Sequence, residues 1–226
     1  MFHVKHRVIL ILVLSSLFSI HSWSQGVYSL PADPFVHAPP RDSSAYKRLA
    51  SNPSFLALDR YEMDFFQWVN IFRQDPVDFR DRYILPFLAQ FPGINGPETV
   101  TLLEDLELAR TLEPLIPDPG LNRTSRAHAL DLSRRPHILT HNSSNGASFR
   151  ARMEMAGIRN CAGENLYDGK NDPLMALIIL LVDKGVANAG HRKALMRQDF
   201  RKMGVSIKPW KGETDAIVLV QDFSCD

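Results

Sequence analysis

Residues 172–185 read DPLMALIILLVDKG, in which nine consecutive apolar side chains, Leu174 to Val182, stand between an Asp-Pro pair and a Lys-Gly pair. Asp172 before Pro173 is a helix-start signal: the carboxylate can cap free amides, and a proline at the first turn gives up a donor that had no partner. Lys184-Gly185 is the matching stop. A helix that is apolar all round has no face to give to water, so it is buried. It is also far shorter than the roughly 20 residues that a membrane crossing needs. The segment is therefore expected between a sheet and a second layer, which commits the chain to a layered architecture.

Two β-branched segments follow, Met203 to Ile207 and Ala216 to Phe223, with Gly212 in the turn between them, and they read as an antiparallel hairpin. On the N-terminal side, Phe65, Val69 and Phe72 share a helical face that begins near Leu58 and stops before Asp75-Pro76, where a second helix opens. Pro86, Pro92, Gly93, Gly96 and Pro97 break the next stretch, and Thr101 to Leu112 reads as a short amphipathic helix within an insertion at about 91–112. Asp118-Pro119 opens another helix, with Leu121, Ser125, His128 and Leu132 on one stripe, ended by Pro136. Helices and strands together give an α+β or layered α-β-α core.

At the N-terminus, Lys5 and Arg7 precede an uncharged apolar run, Val8 to Ile20, closed by His21 and Ser22, with Ser22 and Ser24 flanking Trp23. This is the pattern of a signal peptide, residues 1–24, and predicts a secreted or periplasmic protein. Its removal takes away two of 26 basic residues and none of 25 acidic ones, leaving a formal charge of 24 − 25 = −1. A nucleic-acid binder would show a basic excess or stripe, so nucleic acid is not an expected partner. Residues 25–54, with Pro31, Pro34, Pro39, Pro40 and Pro53, read as a Pro-rich tail or linker ahead of one domain, 55–226. The two cysteines, Cys161 and Cys225, can form a bridge in an oxidising compartment or remain two buried thiols.

The order of short motifs carries a resemblance. Val69-Asn70-Ile71-Phe72-Arg73 comes before Asp75-Pro76 and Phe79. Pro119-Gly120-Leu121, Ala127-His128-Ala129-Leu130-Asp131 and Leu139-Thr140-His141 follow in turn. Arg152 and Gly157 precede Gly163-Glu164-Asn165-Leu166, and the close is Asp183-Lys184-Gly185-Val186, Gly190-His191-Arg192, Gly204-Val205 and Gln221-Asp222-Phe223. From Phe55 to Asp226 this series resembles a bacterial member of the CAP/SCP family, the cysteine-rich secretory, antigen five and plant pathogenesis-related proteins. The resemblance implies an α-β-α sandwich with a central antiparallel sheet. The chain departs from that pattern at Leu180-Leu181-Val182, where relatives commonly carry a Trp before the acidic residue, and in having only two cysteines.

The resemblance also implies that His141, Glu164, Asp183 and His191 converge in one cleft. Two imidazoles can share a divalent metal such as zinc, and two carboxylates can orient the rings or, in an enzyme, act as catalytic groups. Read without the resemblance, His141 is a surface-loop histidine, His191 serves equally as a neutral ligand at a helix N-terminus or as a capping residue, Glu164 is as readily structural as functional, and Asp183, placed against the dipole of the helix it ends, favours a specific role. His128 reads as core packing with one hydrogen bond. No Gly-x-Ser-x-Gly and no phosphate loop occur, and no organic cofactor is expected. The preferred function is an exported binding module for a lipid, sterol-like or peptide ligand. The alternative is a metal-dependent hydrolase acting on peptide bonds, with Glu164 as general base and Asp183 orienting.

Overall fold

The computed structural model describes residues 35, 37–159 and 161–225; the expected signal peptide, 1–24, lies outside them. Six helices come first: α1 (Ser44–Leu49), α2 (Pro53–Leu56), α3 (Arg60–Gln74), α4 (Pro76–Phe79), α5 (Leu85–Gln90) and α6 (Pro97–Glu107). A two-residue strand β1 (Ile116–Pro117) leads into α7 (Pro119–Ser133), then α8 (Phe149–Met155), β2 (Ala162–Lys170), α9 (Pro173–Val182), α10 (Gly190–Leu195), β3 (Lys202–Pro209) and β4 (Ala216–Ser224).

The Asp-Pro signals work as expected. Asp75 accepts from the Asp78 amide, Asp118 from Gly120 and Leu121, and Asp172 from Met175, so each carboxylate satisfies a donor that its helix leaves free. The main helix of the N-terminal half, α3, begins with a capping box in which Asp59 and Glu62 bond each other's backbone. The helix in the expected insertion starts at Pro97, four residues before the expected Thr101, and ends at Glu107. Pro97 acts there as a helix starter with the pre-set φ of a first turn, not as a breaker.

The sheet order is β1-β3-β4-β2. It is antiparallel except for the short parallel pairing of β1 with β3. One face carries α7, and α3 and α9 pack on the other, which gives the α-β-α sandwich. The alternation along β4 explains both layers: Ile217, Leu219 and Phe223 belong to the large core with α3 and α9, whereas Val218 and Val220 pack with Ala129 and Leu132 of α7. Asp222 continues the second series, so its side chain falls on the α7 face. Close approach of α7 needs Gly204, where a Cβ would lie 2.2 Å from the Leu121 backbone.

Leu174, Leu177, Ile178, Leu181 and Val182 of α9 are fully buried, as an apolar helix between layers must be. Cys161 and Cys225 form a disulfide that joins the start of β2 to the residue after β4.

The stretch 25–54 departs from the expected tail in its described part. Phe35 packs edge-on against Phe87 and Phe91, α1 buries Ala45 and Leu49, and Gln67 of α3 donates to the Pro40 carbonyl at 2.7 Å. Asn52-Pro53 opens α2 with the same side-chain cap as the Asp-Pro pairs. The prolines interrupt this segment without detaching it, because Phe35 and Leu49 supply the apolar anchors.

Candidate functional site

Glu164 lies on β2 with its side chain 1% exposed, and its ladder partner on β4 is Asp222. Both oxygens of Glu164 are engaged. His141 Nδ1 lies 2.8 Å from Oε1, and Arg152 of α8 donates to Oε2 while also donating to the His141 carbonyl at 2.7 Å. Burial would raise the Glu164 carboxyl, but the His141 hydrogen bond and the Arg152 charge outweigh it and hold the group below the usual carboxylate range. An ionised carboxylate only accepts, so His141 Nδ1 carries the hydrogen of this bond.

Asp222 takes the opposite course. Full burial and the neighbouring Glu164 charge push it well above the usual carboxylate range. Thr124 of α7 donates to Oδ2 at 2.7 Å, while Oδ1 has no hydrogen-bond partner among the described residues. Two carboxyls on one ladder are thus pushed in opposite directions, which disfavours burying two like charges.

Asp183 caps α9 in the left-handed conformation, φ 58°, which Asp tolerates better than most residues. The reversal turns its carboxylate away from the α9 carbonyls. Oδ2 accepts from the His191 and Arg192 amides at 2.8 and 3.2 Å, and Oδ1 lies 2.7 Å from His191 Nδ1. Asn188 and Ala189, also at positive φ, bring the chain round to α10. Arg73 of α3 fixes the far end of α10 by donating to the Leu195 and Arg197 carbonyls at 2.9 and 3.1 Å. Burial lowers its pKa to about 10, so it stays charged.

The two halves meet: His141, Glu164 and His191 line one concavity of about 350 Å³. Asp183 lies behind His191 and lines a second, apolar groove of about 110 Å³, with Leu139, Leu166, Ile179 and His191 itself. His137 at the far end of this groove bonds Asp168 at 2.9 Å and Glu213 at 2.7 Å, and these carboxylates raise its pKa. His128 is buried on α7 against the Thr140 carbonyl at 2.9 Å.

As a metal site the set is incomplete. Each ring is oriented through Nδ1 by a carboxylate, the usual outer-shell arrangement of ligating histidines. Yet among the described residues no group of three His, Cys, Asp or Glu side chains could hold a metal ion, and a catalytic zinc takes three protein ligands. His141 and His191 offer two.

Sequence reasoning gave no role to Arg152 or Asp222, although both fall within quoted motifs. A signal for Asp222 exists: it continues the inward series of Val218 and Val220, where an acid is out of place.

The model of the cysteine-rich secretory protein family, CAP, matches residues 69–223, more than half of the 226. No curated protein matches the chain. Similar solved structures include an extracellular SCP-domain protein of Bacillus anthracis, at 22% identity over 51% of this chain and 35% of that one, TM-score 0.41. The chain therefore spans about a third of that protein's length. An outer surface protein of Borrelia burgdorferi is similar at 21% identity over 56% of this chain and 90% of that one, TM-score 0.42. NaASP2, crystallised with zinc, is similar at 13% identity over 74% and 81%, TM-score 0.41.

Proposed function

The chain belongs to the cysteine-rich secretory protein family, and on that premise we propose that it is an exported binding module whose ligand seat is the concavity between His141 and His191. The observation that carries this reading is the commitment of both carboxylates. Glu164 is spent on His141 and Arg152, and Asp183 on the His191 ring and two amides, so neither is free to take a proton from water. With no third metal donor among the described residues, the set binds and orients better than it turns over. Export is supported by the disulfide, which persists in oxidising compartments. A divalent metal, zinc among them, would be held by His141 and His191 with water completing the shell. A two-donor site of this kind is a weak one.

Native mass spectrometry of the protein with zinc and with lipid and peptide panels, beside His191→Ala, tests the reading. Adducts that the variant loses support it. Metal-dependent cleavage of a peptide by the parent and not by the variant would overturn it in favour of a hydrolase.

A further inference from the structure

Besides the two imidazoles, the charged groups that the concavity keeps for a ligand are cationic. Its carboxylate, Glu164, is buried and neutralised by Arg152, whereas Lys193 and Arg197 on the same wall are exposed. Lys193 has no hydrogen-bond or ion-pair partner among the described residues. Arg197 stacks over Phe200 at 4.8 Å and meets Asp199 at 3.6 Å, with both partners of that pair solvent-exposed, a geometry worth little in water. His191 and Val186 line both this concavity and the apolar groove, so the two spaces are neighbours with these residues between them.

Volume selects the class of molecule. An apolar cavity of roughly 150 Å³ takes a benzene. The groove, at about 110 Å³, matches the size of a single apolar side chain. The cationic concavity, at about 350 Å³, falls within the range of a bound small molecule or a short peptide end.

Resting on the binding-module reading, we propose that the occupant is a peptide with a free carboxylate held between Lys193 and Arg197 and an adjacent apolar side chain in the Leu139–Leu166–Ile179 groove. Capture of a peptide carboxylate beside a side-chain pocket is a known recognition mode, and the charge-assisted bonds of Lys and Arg supply its polar half.

The test is fluorescence polarisation with the oxidised full-length protein and three probes: hexapeptides ending in Leu or Phe with a free carboxylate, the same peptides amidated, and labelled oleate. The free acids should bind, and amidation should weaken them by at least about tenfold, because it removes the charge that both charge-assisted contacts use. Lys193→Glu with Arg197→Glu should have a similar effect on the free acids and almost none on the amides. Both side chains are exposed, so the fold is unaffected. If peptides bind and His191→Ala abolishes binding, but amidation and charge reversal change nothing, the inference fails while the cleft stands as the seat. Oleate binding that exceeds the peptides and depends on His191 overturns the inference in the same way. If no probe binds, or binding survives His191→Ala, the seat itself is wrong.

Discussion

Arg152→Met isolates the charge that holds the site together. The arginine is 7% exposed and Glu164 1%, so the pair is buried on both sides. Methionine keeps the apolar stem and removes the guanidinium, which donates to Glu164, to the His141 carbonyl and, at 3.4 Å, to Ser143. Removing one partner of a buried pair costs about 3–5 kcal/mol, against less than about 1 for an exposed pair. His141 still donates to Glu164 in the variant, which argues for the lower end, about 3 kcal/mol. For a chain of this size that is a melting-temperature loss of about 6–12 °C. The pH dependence follows from the sign of the shift. Glu164 has a depressed folded-state pKa, so its stabilisation is present above the unfolded value of about 4.3 and is lost as pH falls through the folded one. Without Arg152, burial dominates and Glu164 can escape by taking a proton, so the deficit should be largest near pH 7 and shrink toward pH 4. Urea denaturation of parent, Arg152→Met, Glu164→Gln and the double variant across that range provides the measurement. The double variant should be more stable than Arg152→Met, because no charge is left stranded. A deficit under about 1 kcal/mol that is flat with pH, with no recovery in the double variant, would refute the buried-pair argument.

Reduction, or Cys225→Ser, should cost about 4 kcal/mol in the chain-entropy model, since the bridge closes a separation of 64 residues; calorimetry on the oxidised and reduced forms reports it. Asp222→Asn should be at least as stable as the parent at pH 7 and gain on it as pH rises from 4. The raised folded pKa of the acid means that the parent loses stability as its unfolded state ionises, and Asn has no proton to lose; denaturation at both pH values decides. Zinc-induced thermal stabilisation at pH 7.5, where present, should vanish in His141→Ala and His191→Ala and survive in His128→Ala, whose ring faces Thr140. Leu49→Ala, 3% exposed, should cost about 2–5 kcal/mol by thermal melting, a loss that a detached tail could not produce.

The helix starts were legible because an Asp-Pro pair is a local device: three Asp residues cap their own helices through bonds to amides two or three residues on. The apolar helix was legible because nothing but burial satisfies it. The strand β2 was not, since Gly163-Glu164-Asn165-Leu166-Tyr167-Asp168-Gly169 has no β-branched residue. It becomes a strand by pairing with β4 along nine register positions, a tertiary cause. The Pro-rich segment misled for the converse reason: composition argued against order, and Phe35, Ala45 and Leu49, too sparse to show a period, still found the core.

At the site, spacing could not show that His141 and His191 share a concavity, because that depends on β2 and on the turn into α10. One local oddity did point the right way. A carboxylate ending a helix opposes the helix dipole, and Asp183 resolves the conflict by leaving α9 in the left-handed conformation and accepting from the first amides of α10. The same logic runs through the other half. Glu164 can be ionised because Arg152 and His141 surround it, and Asp222 beside it is pushed the other way, toward holding its proton. Each acid is thus consumed inside the fold, where desolvation would otherwise be prohibitive. What remains on the wall of the concavity is two imidazoles, Lys193 and Arg197, and that cationic wall follows from where the acids had to go.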